Sequence, residues 1–126
     1  MNEQQNQPPF DGLQLQGTEY RRADLSGANF DGVNLTGARF YAVLSKAKFT
    51  DTNLCEADFD DIALADARFN NVTLAGAIFT NANLSRLTIK DATLAHSTIE
   101  NADVTGLRIN GVLVTDLFDA YEKAKR

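Results

Sequence analysis

The sequence predicts an all-β solenoid that ends in a short helix. Large apolar residues recur at every fifth position, turn-forming residues follow them at a constant offset, and leucine alternates with an aromatic residue along most of the chain. A period of five matches neither the 3.6-residue repeat of a helix nor the two-residue repeat of a free strand. It describes a short extended segment followed by a corner, repeated many times.

The apolar repeat begins at Phe10 and runs to Val114. Its members, which we call centres, number twenty-two and fall at every fifth residue from 10 to 40 and again from 44 to 114. Two residues before each centre the chain is small or apolar, and most often alanine. The centres are expected to form the core, because a repeat unit buries its apolar side only by stacking on its neighbours.

Turn-forming residues lie two positions after the centres. A corner in a tight coil often needs a positive φ angle, which glycine adopts freely and asparagine or aspartate tolerates. All eight glycines of the chain occupy this position: Gly12, Gly17, Gly27, Gly32, Gly37, Gly76, Gly106 and Gly111. Aspartate and asparagine fill it at most other corners, so a left-handed backbone is expected there.

The alternation of leucine with aromatic centres favours a four-sided coil. Four segments per coil sort the centres into two aliphatic and two aromatic columns, whereas three segments would mix them in every column; two-sided stacking would also satisfy the alternation. The predicted core ladder comprises Phe30, Phe40, Leu44, Phe49, Leu54, Phe59, Leu64 and Phe69. Burial of such a side chain contributes about 2 kcal/mol, most of which is offset by ordering entropy.

The five-residue motif is clearest in ADLSG, ANFDG, VNLTG, ADFDD and ANLSR. It places a small residue, Asp or Asn, the Leu or Phe centre, a polar residue and a turn-forming residue in that order. Tandem copies over about residues 8 to 116 resemble the pentapeptide-repeat family. The resemblance implies a right-handed quadrilateral β-helix of about five coils, with four pentapeptides per coil and the centres pointing inward.

Three segments are predicted. Residues 1–9 form an extended or mobile N-terminal lead-in, residues 10–115 the repeat β-helix, and residues 116–126 a C-terminal helical cap. Asp116 is a candidate N-cap, and Leu117 and Tyr121 share one face of the helix. The helix is expected to cover the last coil, since solenoid ends expose unpaired edges; a dimerisation helix is the alternative. A monomer or a weak end-to-end dimer is expected.

Composition excludes several classes of function. The chain has 126 residues and a formal net charge of -5, which disfavours direct binding to nucleic acid. It has no signal-like start and no apolar run long enough to span a membrane, so a cytoplasmic protein is expected. The single cysteine, Cys55, and the single histidine, His96, lack catalytic partners at a meaningful spacing. No catalytic, cofactor-binding or metal residue is predicted, and the protein is not expected to be an enzyme.

An acidic run is the strongest charge anomaly of the chain. Its six carboxylates lie within sixteen residues that contain no base: Asp51, Glu56, Asp58, Asp60, Asp61 and Asp66. Some members of the family protect type II topoisomerases by presenting a carboxylate-covered rod that mimics duplex DNA. Mimicry needs acids stacked from coil to coil, but positions twenty apart pair Asp51 with Asn71, Asp58 with Ile78, Asp60 with Thr80 and Asp66 with Arg86.

The acids are therefore expected to form a belt around one coil rather than a stripe along the rod. A rigid protein-interaction scaffold with a protein partner of unknown identity is the favoured function. A DNA-mimic rod that binds DNA gyrase or topoisomerase is the alternative. For the acidic residues themselves, an ordinary solvated belt is the favoured interpretation, ahead of an acidic docking surface for another protein and of DNA mimicry.

One corner is a residue short, because the centres Phe40 and Leu44 stand four apart instead of five. The alternation of aliphatic and aromatic centres passes through the gap, so the missing residue belongs to the corner after Phe40. A tight corner without positive φ is expected, with Tyr41 pointing outward between Arg21 and Asp60. The favoured interpretation is a tolerated deletion, and the alternative is a recognition notch centred on Tyr41.

Overall fold

The computed structural model describes residues 10 to 125. The lead-in expected at residues 1–9 lies outside the described residues. The chain divides between Ala95 and His96 into two compact units. The first contains the parallel solenoid, and the second contains a β-hairpin and the C-terminal helix.

Nine short strands build the first unit. They form two parallel sheets, with the orders β1-β3-β5-β7-β9 and β2-β4-β6-β8. The strands are β1 (Phe10–Asp11), β2 (Glu19–Asp24), β3 (Asn29–Asp31), β4 (Arg39–Val43), β5 (Lys48–Thr50), β6 (Asp58–Ala63), β7 (Arg68–Asn70), β8 (Ile78–Asn83) and β9 (Thr88–Lys90). A further column of isolated parallel bridges joins Gln14, Asn34, Asn53 and Thr73.

Strand register confirms the quadrilateral β-solenoid. Phe10 pairs with Phe30, Phe30 with Phe49, Phe49 with Phe69, and Phe69 with Ile89, so each turn brings one centre over the next in its column. These pairings span about four turns rather than the five expected. The difference lies at residues 91–107, which form bends and turns but no strand.

The core is a set of stacked columns. All eight side chains of the predicted ladder lie in one apolar cluster and are at most 1% exposed. Aromatic rings stack face to face along two columns, with centroids 4.7 Å apart for Phe30 and Phe49 and 4.8 Å apart for Phe40 and Phe59. The two columns meet edge to face, as where Phe40 approaches Phe49 at 6.4 Å and 89°. The interior is therefore filled by side chains.

The corners have the predicted left-handed backbone. Each of the eight glycines has a positive φ, and so do the aspartate and asparagine residues in the same position of the motif from Asp51 to Asn101. Asp116, which also stands two residues after a centre, lies in the C-terminal helix instead. Gly76 shows an additional reason for glycine, because a Cβ there would lie 3.1 Å from Cγ of Glu56. Longer side chains also occupy such corners, among them Arg22 and Lys46 at φ of 53° and 64°.

The shortened corner is confirmed. Strands β2, β6 and β8 have six residues and turn through a positive-φ corner at Arg22, Asp61 and Asn81, whereas β4 has five residues and no positive φ. The register with β2 shifts between Arg21 and Ala23, so that Arg22 has no counterpart in β4. The neighbouring coils thus accommodate the missing residue at one place.

The second unit keeps the positive-φ corners of the repeat at His96, Asn101 and Gly106 and departs from the repeat after them. Strands β10 (Arg108–Ile109) and β11 (Val112–Leu113) pair antiparallel through Asn110 and Gly111, whose φ angles are 49° and 81°. Two consecutive positive φ angles in a two-residue loop are typical of a type I′ hairpin, for which Asn-Gly is the preferred sequence. The late centres Leu94, Ile99 and Ile109 are 55%, 69% and 53% exposed, so they do not reach the burial of the earlier centres.

The C-terminal helix α1 spans Val114–Ala124 and so begins two residues before the expected position. Leu113 is its extended N-cap and makes no side-chain capping bond, so the prediction of Asp116 as N-cap is wrong. Asp116 lies in the first turn and Lys123 in the last, where their charges complement the helix dipole. The covering role expected for this helix stays a prediction. In the described part of the chain, no helix is long and apolar enough to cross a membrane.

Truncation of a core centre should be costly. Leu54 is 0% exposed and Leu13 is 44% exposed, so Leu54→Ala and Leu13→Ala delete the same atoms from a buried and an accessible site. We expect Leu54→Ala to lower the free energy of unfolding by about 2 to 5 kcal/mol and Leu13→Ala by less than about 1 kcal/mol. Urea denaturation measures both, and equal losses would contradict the buried column.

Insertion of a glycine after Tyr41 should be tolerated. The corners at Arg22 and Asp61 already hold the left-handed position that the new residue would take, and glycine adopts it freely. We expect a change in stability below about 1 kcal/mol, or less than about 5 °C in Tm. A glycine inserted after Lys48 is the control, because it would displace buried Phe49. A large fall in Tm for the Tyr41 insertion would show that the coil is adapted to its short corner.

Candidate interaction surface

The outward face of the four-stranded sheet β2-β4-β6-β8 carries the candidate surface. Its strands alternate buried and accessible residues, with Phe40 and Ala42 of β4 buried while Arg39, Tyr41 and Val43 are exposed. Parallel pairing holds the accessible positions in rows across the sheet. A rigid backbone lattice therefore positions the exposed side chains.

Charged residues of both signs lie on this face. Strand β2 carries Glu19 and Asp24 as well as Arg21 and Arg22, and register sets Arg39 of β4 between Glu19 and Asp58. We call part of this surface the bipolar face; it comprises Arg21, Arg22, Arg39, Tyr41, Val43, Asp58, Asp60 and Asp61. Its arginines, on β2 and β4, are the basic half, and its aspartates, on β6, are the acidic half.

The charged groups of the bipolar face do not pair with one another. Among residues 10 to 125, the ion pairs join Arg86 to Asp66 at 2.9 Å and Lys125 to Glu122 at 3.7 Å, and both lie elsewhere. Asp60 does accept neutral hydrogen bonds, from Thr80 Oγ1 at 3.0 Å and Asn81 Nδ2 at 3.3 Å. The arginines and Asp61 remain available for charges on a partner.

Apolar surface lies between the two halves. Tyr41 and Val43 are 40% and 41% exposed and sit on the strand between the basic and acidic strands. A recess of about 550 Å³ adjoins them at the shortened corner, with Arg22 and Asp61 in its lining. Register places Tyr41 beside Arg21 as expected. The cation–π contact among the described residues is made by Lys125 rather than by Arg21, with Lys125 Nζ 5.3 Å from the centroid of the Tyr121 ring.

The other three acids of the run lie at other corners of the coil. Asn71 Nδ2 donates to Asp51 Oδ1 at 2.6 Å, and Glu56 lies against Gly76 of the following coil. Arg86 donates to both carboxylate oxygens of Asp66, from Nε at 2.9 Å and from Nη2 at 3.1 Å. Each of these carboxylates thus faces a neutral or basic residue of the next coil.

These contacts confirm the four coil-to-coil pairs expected from positions twenty apart, including the register of Asp58 with Ile78. The acids form a belt. The structure brings Tyr41, Asp58, Asp60 and Asp61 together on the bipolar face and leaves Asp51, Glu56 and Asp66 outside it. The sequence analysis did not include the basic residues in this surface. The sequence did contain a sign of them, because Arg21 and Arg39 stand about one coil apart and so fall on the same wall.

Hydrogen bonding sets the protonation of two carboxyl groups. The Arg86 guanidinium holds the pKa of Asp66 below its usual value, and Lys46 adds to this effect. The hydroxyl and backbone N–H of Ser26 lower the pKa of Asp24. Both groups are therefore charged at neutral pH and act as fixed anions of the surface.

Neither of the residues singled out for chemistry stands in a reactive environment. Cys55 is half-buried, and its backbone N–H donates to Asn53 Oδ1 at 2.9 Å. His96 occupies an exposed corner at φ 64°. Over the described range, no group of three metal-ligating side chains converges.

Comparison with known proteins identifies the repeat. The family model for pentapeptide repeats matches eight copies, over residues 10–43 and 67–106. The unmatched residues between these ranges contain the acidic run, and they continue the same parallel sheets. No curated protein matches the sequence significantly.

Solved structures of pentapeptide repeat proteins are similar to this chain. Rfr23 from the cyanobacterium Cyanothece 51142 is 20% identical, with a TM-score of 0.45 over 72% of this chain and 87% of its own. A protein from the Arabidopsis thaliana thylakoid lumen is 24% identical, with a TM-score of 0.39 over 82% and 81%. The plasmid-mediated fluoroquinolone resistance protein QnrB1 is 23% identical, with a TM-score of 0.37 over 70% of this chain. This chain covers only 49% of the QnrB1 chain.

Removal of the guanidinium from the Asp66 pair should raise the pKa of that carboxyl. The pair stabilises the fold above the ordinary aspartate pKa of about 3.9, and this contribution is lost as pH falls through the lowered value. We expect Arg86→Ala to move the Asp66 titration to higher pH in carboxyl-detected NMR. The titration of Asp24, which depends on Ser26, is the internal control. An unchanged Asp66 pKa would contradict the pairing.

Proposed function

Since the chain belongs to the pentapeptide-repeat family, we propose that it is a non-enzymatic, cytoplasmic scaffold that binds a partner protein. The bipolar face is the binding surface. The observation that carries this proposal is the presence of unpaired charges of both signs around exposed Tyr41 and Val43. Complementary charge speeds encounter and selects among partners, and an exposed aromatic residue is a common anchor at interfaces.

Rigidity supports the scaffold role. Strands β4 and β6 are held on both sides by parallel pairing, β2 at the edge of the sheet pairs with β4, and Phe40 of β4 and Phe59 of β6 stack beneath the face. A surface that is ordered before binding loses little conformational entropy on association. The face is therefore suited to recognising a partner without rearrangement.

The distribution of titratable groups supports a role without catalysis. Four carboxylates of the belt lie at corners, Asp51, Glu56, Asp61 and Asp66, and the other two, Asp58 and Asp60, lie along strand β6. Catalytic sites generally gather titratable groups in a cleft where their pKa values shift. Asp66 and Asp24 instead have pKa values lowered by neighbours that hold them charged.

The DNA-mimic alternative is less well supported. A mimic of duplex phosphates requires anions repeated along the long axis, but the positions next to Asp51, Asp60 and Asp66 in the following coil are Asn71, Thr80 and Arg86. The basic half of the bipolar face would also repel a site that is built for DNA. We therefore favour a protein partner that reads both signs of charge.

Affinity capture with charge-reversed baits tests the proposal. Immobilised Arg39→Glu and Asp58→Lys variants should each retain about tenfold less of the partner than the wild type, a loss of about 1.4 kcal/mol. Lys46→Glu and Asp91→Lys are matched controls, because they reverse charges at corners outside the face. Equal retention on every bait would exclude the bipolar face as the binding site.

A supercoiling assay with purified DNA gyrase tests the alternative. We expect no inhibition at stoichiometric protein, because the carboxylates are bound coil by coil and do not form a continuous anionic stripe. Circular dichroism of the same sample confirms that the protein added is folded. Loss of supercoiling at stoichiometric protein would favour the DNA mimic over the scaffold.

A further inference from the structure

The corner ridge of the four-stranded sheet has a gap at β4. Arg22, Asp61 and Asn81 form this ridge on β2, β6 and β8, each at a positive φ. In β4, Tyr41 is followed directly by Ala42, so no residue fills the ridge between Arg22 and Asp61. The two charged corners therefore stand about two strand spacings apart, or roughly 9.5 Å.

The gap lies within an open recess that has an apolar centre. The recess has a volume of about 550 Å³ and extends over all four strands, from Arg22 on β2 to Asn83 on β8, and its lining includes Tyr41, Ala42, Val43 and Ile62. Tyr41 and Val43 are each about two-fifths exposed, whereas the adjoining Ala42 and Ile62 are buried. A single apolar side chain from another molecule fits this place, because it would occupy the position that a corner residue holds in the neighbouring coils.

The two ends of the recess carry available charges of opposite sign. Arg22 and Asp61 make no ion pair in the portion of the chain that is described. Asp24 also lines the recess; its Oδ1 accepts bonds from the backbone N–H and hydroxyl of Ser26, which lower its pKa and keep it ionised. A ligand along the ridge thus meets the Arg22 guanidinium with the bonded Asp24 carboxylate at one end, and the Asp61 carboxylate at the other.

We propose that the recess binds an extended segment of the partner protein with the pattern acid-x-apolar-x-base. The central apolar side chain enters the gap beside Tyr41 and Val43, the acidic residue faces Arg22 and the basic residue faces Asp61. Residues two apart in an extended chain point to the same side, so the two charged residues lie about 13 Å apart along the segment. Their long side chains must bend inward to meet corners that stand roughly 9.5 Å apart. The inference rests on the proposed function, since it specifies the partner chemistry of the bipolar face.

Charge complementarity selects this occupant over others. A nucleic acid would place phosphates at both ends and meet Asp61, and a purely basic peptide would meet Arg22. The recess could instead bind a second copy of the chain. In that case sedimentation velocity would show self-association of the wild type, and insertion of glycine after Tyr41 would abolish it. That outcome would overturn the proposal of a separate partner.

A peptide set tests the pattern directly. It contains seven-residue fluorescent peptides of three classes, with a central Leu, Phe or Val flanked at the second positions by opposite charges, by two acids or by two bases. Peptides with opposite charges are made in both sequence orders, because an extended chain binds in either direction. Fluorescence anisotropy gives Kd for each class, and we expect the wild type to prefer opposite charges by about tenfold.

Charge reversal should redirect the preference rather than abolish binding. Arg22→Glu makes both ends acidic and should favour peptides with two bases, whereas Asp61→Lys should favour peptides with two acids. A variant that failed to fold would show no preference among the peptides. A change of preference from one peptide class to another therefore cannot result from misfolding. Lys46→Glu is the matched control, because it reverses a corner charge outside the recess and should keep the wild-type preference.

Insertion of glycine after Tyr41 fills the ridge and leaves every charge in place. It should weaken the preferred peptide about tenfold or more while Tm stays near the wild-type value. A wild-type protein without charge preference, or variants whose preference does not change, would overturn the inference. A failure of the scaffold proposal gives a different result from a failure of this inference. If the bipolar face is not the binding surface, the Arg39→Glu and Asp58→Lys variants retain the captured partner fully. If those variants lose the partner while the glycine insertion retains it, only the recess is excluded.

Discussion

Backbone hydrogen bonds from coil to coil are the constraint on which the rest of the solenoid depends. Leu35 N–H donates to the carbonyl of Asn53 and Leu54 N–H to that of Thr73, both at 2.7 Å. Such bonding sets parallel strands about 4.8 Å apart, and the stacked ring centroids lie 4.4 to 4.8 Å apart. Isolated aromatic pairs avoid a perfect face-to-face arrangement, so the backbone spacing imposes the ring geometry.

The same register governs the polar surface. A side chain on one coil lies over the residue about twenty positions later, which is why Asp51 meets Asn71 and Asp66 meets Arg86. An acidic run that is contiguous in sequence therefore becomes a belt whose members lie at different corners. Strand β4 lacks a corner residue, and the shift in register at that point keeps the residues on either side of the corner paired with their neighbours. The missing residue leaves an opening in the ridge between Arg22 and Asp61.

Most of the solenoid was predictable because each pentapeptide repeats one local conformation. The inward columns follow from the spacing of Phe30 and Phe49, and the left-handed corners follow from the residues that tolerate positive φ. The hairpin at Asn110 was missed because the five-residue spacing of Ile109 and Val114 continued through it. An Asn-Gly pair favours a two-residue antiparallel loop, and that local preference prevailed over the repeat.

By itself, the sequence determined the parallel coil, its four columns of centres and the shortened corner, since these depend on spacing and on backbone preferences of single residues. Only the tertiary structure decided the candidate site. Arg21, Arg22 and Arg39 lie far in sequence from Asp58 and Asp61, and strand pairing sets them on one face. The tertiary structure also decided that the loss of one residue leaves a recess in the ridge. The two ends of the recess are corner side chains of the coils on either side of β4.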